Sequence, residues 1–179
     1  MPESQVRIRS WETDDLETIR SITWTTWVDA YGSFIPETDL RSYFDRVYTV
    51  PELTSLLGSP GFRGLLVEVD GCAAGYAKVS FAGEEKRCYL ASLYVLPAFQ
   101  GKGLGSLLLQ EAERHALTFG VQEIWLGVMV QNAPTLRWYE RIGFTFVEEQ
   151  PFTMGNTSVP HRIGFRPIRV TSDAHRNPI

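Results

Sequence analysis

The sequence is short of the features that mark the specialised classes of protein. It has two cysteines, Cys72 and Cys88, in 179 residues. That is too few for a disulfide framework, and their separation fits no metal-ligand motif, so both are read as reduced core thiols. The three histidines and scattered acids form no recognisable metal set either. No run approaches the roughly 20 apolar residues that span a bilayer, and Met1-Pro2-Glu3-Ser4-Gln5 lacks the basic-then-apolar pattern of a leader, so the expectation is cytoplasmic with no membrane partner. Excess basic charge is missing too: 17 Lys and Arg face 21 Asp and Glu, a net charge of -4. That argues against a broad nucleic-acid surface, which needs a surplus of cations, and weakly suits a cationic substrate. Repeats and internal linkers are absent. A single domain over 1–170 with a polar tail over 171–179 is expected.

What is present is ordinary globular composition, 44% hydrophobic and 21% charged. Val6 to Arg9 alternates as an edge strand. Thr13 is positioned to cap a helix from Asp14, with Leu16, Ile19, Thr23, Trp27 and Ala30 at near-helical spacing and Gly32 as its end. From Phe34 to Pro60 three prolines limit helices to short pieces. Gly64 to Val69, the pair Asp70-Gly71 and Cys72 to Phe81 form a hairpin signal, because Asp-Gly suits a type I′ turn. Arg87 to Val95 extends that antiparallel sheet. A helix from Leu104 to Phe119 buries Leu104, Leu108, Ala112, Ala116 and Phe119, with Glu111, Glu113 and Arg114 outside that stripe and Gly120 as cap. A strand over Ile124 to Val130, a helix from Asn132 to Ile142 ended by Gly143, and strands over Phe144 to Glu148 and Arg162 to Ile168 complete the order. The class is α/β (α+β), a mixed sheet with helices on both faces.

The run from Tyr94 to Ser106 carries a strand directly into a helix start. Free N–H groups and the helix dipole make such a start an anion site, and Gly101, Gly103 and Gly105 let a phosphate approach the main chain. The register excludes a P-loop. A Rossmann loop fails because Ser106 and Leu108 stand where its last glycine would be. A tight glycine turn without ligand remains open.

Several motifs in register carry a resemblance. Gln100-x-x-Gly103-x-Gly105 after Leu93-Tyr94-Val95 and a proline, then Asn132, Tyr139 and Gly143-Phe144, resembles the GNAT N-acetyltransferases over about Leu65 to Glu148. Ile124-Trp125-Leu126-Gly127-Val128, Phe152-Thr153-Met154-Gly155 and Thr26 to Tyr31 are similar to PaiA-type polyamine acetyltransferases. The resemblance implies a GNAT fold with a central sheet of about seven strands. It implies acetyl-CoA as cosubstrate and no metal. Leu93, Tyr94 and Val95 would pair with the pantetheine arm. Gln100, Gly101, Lys102, Gly103, Leu104, Gly105 and Ser106 would cradle the pyrophosphate, and Asn132 would hold the arm or simply cap its helix. Dimers are common among the resembling enzymes, so a homodimer is an expectation too.

Tyr139 lies two helical turns beyond Asn132, on nearly the same face. The resemblance makes it the acid that protonates the leaving thiolate, a role open to a phenol protonated at neutral pH; a plain half-buried aromatic is the other reading. The amine would attack directly, with no covalent carrier at either cysteine. The base is unassigned: Tyr89 stands where relatives often carry glutamate, and Glu84, Glu85, Asp29, Glu37, Asp39 and His161 are candidates. Trp125 and Trp138 are read as core, whereas Trp24 and Trp27, with Tyr31, lie on the first helix, which the resemblance implies borders the acceptor site. The substrate set is therefore Trp27, Tyr31, Glu84 and Tyr89, for a small primary amine such as a polyamine. Peptide or protein N-acetylation, and a non-catalytic acyl-CoA-binding module, are the alternatives.

Overall fold

The computed structural model describes residues 4–82, 85 and 87–168. The element order is β1 (Val6–Ser10), α1 (Leu16–Tyr31), α2 (Glu37–Val47), α3 (Val50–Leu57), β2 (Phe62–Val69), β3 (Cys72–Ala82), β4 (Arg87–Val95), α4 (Leu104–Thr118), β5 (Glu123–Met129), α5 (Ala133–Arg141), β6 (Thr145–Met154) and β7 (Thr157–Pro167). The seven strands form one mixed sheet in the order β1-β2-β3-β4-β5-β7-β6. The expected α/β class and mixed sheet are what the chain adopts. Glu84 and the tail over 171–179 lie outside the described residues.

Period-two patterning gives the sheet two apolar faces. On one, Val67, Val79, Cys88 and Leu90 pack under Leu104, Leu108 and Ala112 of α4 and Leu136 and Tyr139 of α5. On the other, Leu66 and Tyr76 pack under α1, α2 and α3 through Leu16, Ile19, Trp27, Leu40 and Leu53. Each such leucine sealed from water contributes about 1.5–3 kcal/mol, so both layers are needed to hold the sheet.

β4 changes face partway along. Its ladder with β3 slips between Lys78 and Val79, pairing Ser92 with Lys78 but Leu90 with Val79, which leaves Ala91 as an extra residue. A bulge of this kind shifts the alternation by one. Leu90 therefore points to the α4 side, while Ser92 and Tyr94 turn to the α1 side. Beside it, β4 and β5 run parallel but pair only at Cys88 with Ile124 and Tyr89 with Trp125. Beyond those pairs the strands lie open to one another.

Some expectations are corrected. Thr13 does not cap α1: Thr13–Asp15 forms a 3-10 turn, and the Glu12 N–H donates to Asp15 Oδ2 at 2.7 Å. Cys72 is exposed at the β2–β3 turn, so only Cys88 is a core thiol, its pKa pushed up to about 12 by burial. Glu113 is buried rather than outside the α4 stripe, because Arg166 reaches it at 2.7 Å, while Phe119 is 47% exposed and stacks on Phe81. The last two strands are much longer than expected and form one hairpin around Gly155, whose φ is 58°.

Candidate acetyl-transfer site

α4 is preceded by Gly103, which stands at its N-cap with φ 79° and supplies no capping side chain. Gly101 also has a positive φ, 74°, and a Cβ at either glycine would meet nothing, so backbone conformation sets these two residues. Gly105 is different: its φ is ordinary, and a Cβ there would rest 3.6 Å from Trp138. Neither strain nor packing demands glycine at 105, which leaves approach of a ligand as the physical reason for it. Among the described residues, no acceptor meets the main-chain N–H groups of Gly101 to Ser106, and Leu107 N–H is the first to bond back, to the Gly103 carbonyl. Six successive unfilled donors at a helix start form a nest for phosphate oxygens. Lys102 adds a cation, its Nζ 5.2 Å from the Phe99 ring. Leu104 packs in the core. Gln100 is turned back on the strand: its Nε2 donates to the Val95 carbonyl at 2.9 Å, which ties the loop to the end of β4.

Leu93 and Val95 direct their side chains to the α4 face, leaving their main chain at the open side of β4. Asn132 stands at the start of α5, yet its side chain makes no capping bond; its carbonyl accepts from Leu136 N–H instead. The amide is thus uncommitted. Tyr139 is 5% exposed, between Trp138 and Phe144, and its hydroxyl has no hydrogen-bond partner among the described residues. Burial raises its pKa well above 10, so the phenol keeps its proton throughout the neutral range, and the nearby Tyr31 phenol pushes in the same direction.

On the opposite face a cavity of about 550 Å³ lies against β4 and β5. It gathers Trp27, Tyr31, Tyr89 and Tyr94, so the sheet brings together three of the four expected substrate residues and adds the Tyr94 side chain, whose hydroxyl is 3.3 Å from that of Tyr31. Tyr43 on α2 contacts Phe152 on β6 with ring centroids 5.7 Å apart. Asp39 accepts from Thr157 Oγ1 at 2.6 Å, and a Cβ on Gly155 would strike its carboxylate. These contacts fasten the hairpin to α2 over the cavity. They also commit Asp39, whose pKa is lowered by those hydrogen bonds, to structure rather than proton transfer. Asp29 and Glu37 are exposed and do not line the cavity. Trp24 is covered by the Arg41 guanidinium, 3.4 Å from its ring centre. Trp125, expected in the core, instead lines the cavity, with Arg87 over its ring.

Several groups here were not singled out by the sequence: Lys78, Tyr48 and Ser92. Tyr48 Oη accepts from Lys78 Nζ at 3.3 Å and lies 2.9 Å from Ser92 Oγ and 3.1 Å from Tyr76 Oη. Their signal was the Lys78–Ser92 register, which depends on a bulge invisible in one sequence. His161 of β7 lies against Gly127, where a Cβ would come within 2.0 Å of the ring, and burial lowers its pKa below 6.5. Tyr89 Oη donates to Glu85 at 2.6 Å. A larger depression of about 950 Å³ between α4 and α5 pairs Arg166 with Glu113 and Arg114 with Glu111, and exposes Arg141 at its edge. No cluster of three or more His, Cys, Asp or Glu able to hold a metal occurs among the described residues. No described helix is long and apolar enough to cross a membrane.

A nest of unfilled donors at a helix start, beside a sheet that opens between parallel strands, is the architecture of an acyl-CoA enzyme. The chain belongs to the Acetyltransferase (GNAT) family, whose model matches residues 16–144. It is accordingly an acyltransferase with acetyl-CoA as cosubstrate. Streptothricin acetyltransferase of Streptomyces lavendulae is 38% identical over 80 residues, 45% of this chain and 42% of that one, so the match spans less than half of that relative's length. Among solved structures, the PaiA N-acetyltransferase of Thermoplasma acidophilum with coenzyme A superposes with a TM-score of 0.79 at 23% identity, over 91% of this chain and 99% of that one. Spermidine N-acetyltransferase of Vibrio cholerae with CoA and spermine gives 0.70 at 19% identity, over 92% and 96%. At these identities the two structures establish the shared fold.

Proposed function

We propose that the chain transfers an acetyl group from acetyl-CoA to the primary amine of a small molecule, by direct attack, with Tyr139 as the acid. The observation that carries this reading is the row of unfilled N–H donors from Gly101 to Ser106, set beside the open side of β4 and the uncommitted hydroxyl of Tyr139. The residues present fit the cosubstrate: the donor row and Lys102 suit its pyrophosphate, and the main chain of Leu93, Tyr94 and Val95 with the Asn132 amide suits its pantetheine arm. When bound, acetyl-CoA supplies an activated acetyl thioester. The cavity walls then hold the amine and exclude water, and the protonated Tyr139 has the proton a departing thiolate needs. Tyr89, backed by Glu85, gives the cavity a hydroxyl joined to a carboxylate at the surface, an outlet for the proton shed by the amine.

The roof formed by α2 and the β6–β7 hairpin favours a small acceptor over a peptide, which would need an open groove. A polyamine acceptor is supported by the folds shared with the PaiA and spermidine enzymes, and a bulky amino-bearing antibiotic by the streptothricin relative. Assembly as a homodimer and a place in the cytoplasm belong to the same proposal, supported by the resemblance. The uncommitted Tyr139 hydroxyl favours turnover over a purely binding module.

The test is CoA release from purified protein and acetyl-CoA across polyamines, amino acids, aminoglycoside-type compounds and peptide N-termini. Turnover above background with a small amine is expected, and none with any acceptor would remove the reading. Alongside, Gly103→Asp, which puts a carboxylate in the nest, should weaken acetyl-CoA binding at least tenfold by calorimetry. Equal binding would show that the phosphates sit elsewhere.

A further inference from the structure

Lys78 projects from β3 on the α1 face, opposite Ser92 and next to the bulge where β4 and β5 part. Its side chain lines the cavity, and it forms no ion pair with any described carboxylate. One contact satisfies it, the Tyr48 hydroxyl at 3.3 Å, and the same ring lies 4.6 Å from the ammonium. An ammonium has three donors and is strongly hydrated, so holding it partly buried against one shared phenol is costly unless something else fills the remaining positions. That phenol is itself taken up by Ser92 and Tyr76, so it cannot swing to serve the lysine better.

The other charges lining the cavity differ in kind. Arg87 is 3.7 Å from Glu85 and stacks over Trp125. Glu148, the one described carboxylate in the lining, is exposed at the rim. The cavity thus presents a fixed, carboxylate-free cation inside and aromatic and thioether surface around it from Trp27, Tyr43, Phe152 and Met154. This is the reverse of the acidic lining an extended polycation would require.

We infer that the acceptor is an amino acid with an apolar side chain, its carboxylate held by Lys78 and its side chain received by the aromatic wall. This rests on the acetyltransferase reading and names its substrate class. A carboxylate on Lys78 fills the vacant donor positions and places the amine of the same molecule a short distance away, beside the bulged edge of β4. A polycation of spermidine type would set an ammonium against an ammonium.

The experiment compares amines that differ only by the carboxylate: L-phenylalanine with phenethylamine, L-leucine with isoamylamine, and spermidine as polycation, followed by CoA release at saturating acetyl-CoA. Wild-type protein is expected to favour each amino acid by at least about tenfold in kcat/KM, as a charge-assisted contact in a screened pocket gives. Lys78→Met should erase that preference through a rise in KM for the amino acids, and Lys78→Arg should retain it. Comparing variants cancels the different basicity of the paired amines. Calorimetric binding of acetyl-CoA and the thermal midpoint check that each variant is folded, and Lys78→Gln replaces Lys78→Met if the latter does not fold. A preference for the plain amines or for spermidine overturns the inference while leaving the acetyltransferase reading intact. So does a preference for amino acids that survives loss of the lysine charge. Absence of CoA release with every acceptor overturns both.

Discussion

Tyr139 is held by packing alone. Its ring sits against Trp138 and Phe144, and its hydroxyl is tied to no described residue. Removing only that oxygen therefore breaks no protein hydrogen bond, so Tyr139→Phe should leave the thermal midpoint and acetyl-CoA affinity close to wild type. Loss of a general acid should lower kcat by about 10²–10⁴-fold. Stopped-turnover assays beside calorimetry separate the two effects, and undiminished kcat would take the acid role from this residue. Because burial raises the phenol pKa, no fall in rate from its ionisation is expected below pH 10. Gly127 gives a second residue-scale test. A methyl there meets the His161 ring, so Gly127→Ala should cost about 1–3 kcal/mol by overpacking and raise the acceptor KM as the imidazole is pushed into the cavity. A chemical-denaturation curve and a saturation curve read these separately.

Between elements, the tie that most exceeds expectation is Glu113 of α4 with Arg166 of β7. The pair is 2.7 Å apart, largely shielded, and Arg166 also donates to the Ile142 carbonyl at 2.6 Å just beyond α5. One guanidinium thus joins two helices to the sheet. Arg166→Met alone should destabilise the fold by about 2–3 kcal/mol, since it leaves a buried carboxylate and a carbonyl without partners. Adding Glu113→Leu should restore part of that loss, because an uncompensated charge costs more than an apolar contact. Urea denaturation of both variants and the double measures it; a double variant no better than the single would mean packing rather than charge holds the contact. The sequence could not announce this tie, because Glu113 lies next to Arg114 in an exposed-looking run. The elements that were legible are those whose signals are local: Asp70-Gly71 turns with φ 51° and 79°, and Gly103 and Gly120 sit left-handed at the ends of α4. The β6–β7 hairpin runs beyond the expected strands through Pro151 and Pro160, which face each other in the ladder, where two missing donors share one position. The left-handed glycines of the donor row, proposed to take the cosubstrate, were readable for the same local reason. The cavity proposed for the acceptor is assembled from α1, α2, β3, β4 and β7, so its cation and its roof depend on register and on long-range contacts that periodicity does not encode.

Over the whole molecule, these contacts make stability fall with acid in two stages. His161 and His115 have pKa values lowered, first by burial, and for His115 also by Arg63 and Arg114 against the opposing pull of Glu111. A histidine held neutral in the fold takes up a proton more readily when unfolded. Its contribution is therefore complete above the unfolded value of about 6.5 and is lost as pH falls through that value towards the lower folded one. Asp15, beside Arg9, Glu111, beside Arg114, and Asp39, beside Thr157, have lowered pKa values of the acidic kind. Their contribution is present above the ordinary carboxylate range near 4 and disappears as pH falls below it. The thermal midpoint should thus be flat from pH 8 to 7, decline gently from about 6.5, and drop steeply below about 4. His161→Gln, which keeps a polar group on Gly127 but cannot titrate, should flatten the upper part of the decline and leave the lower one unchanged. A wild-type midpoint that stays level between pH 7 and 5 would show that these imidazoles are not held neutral by the fold.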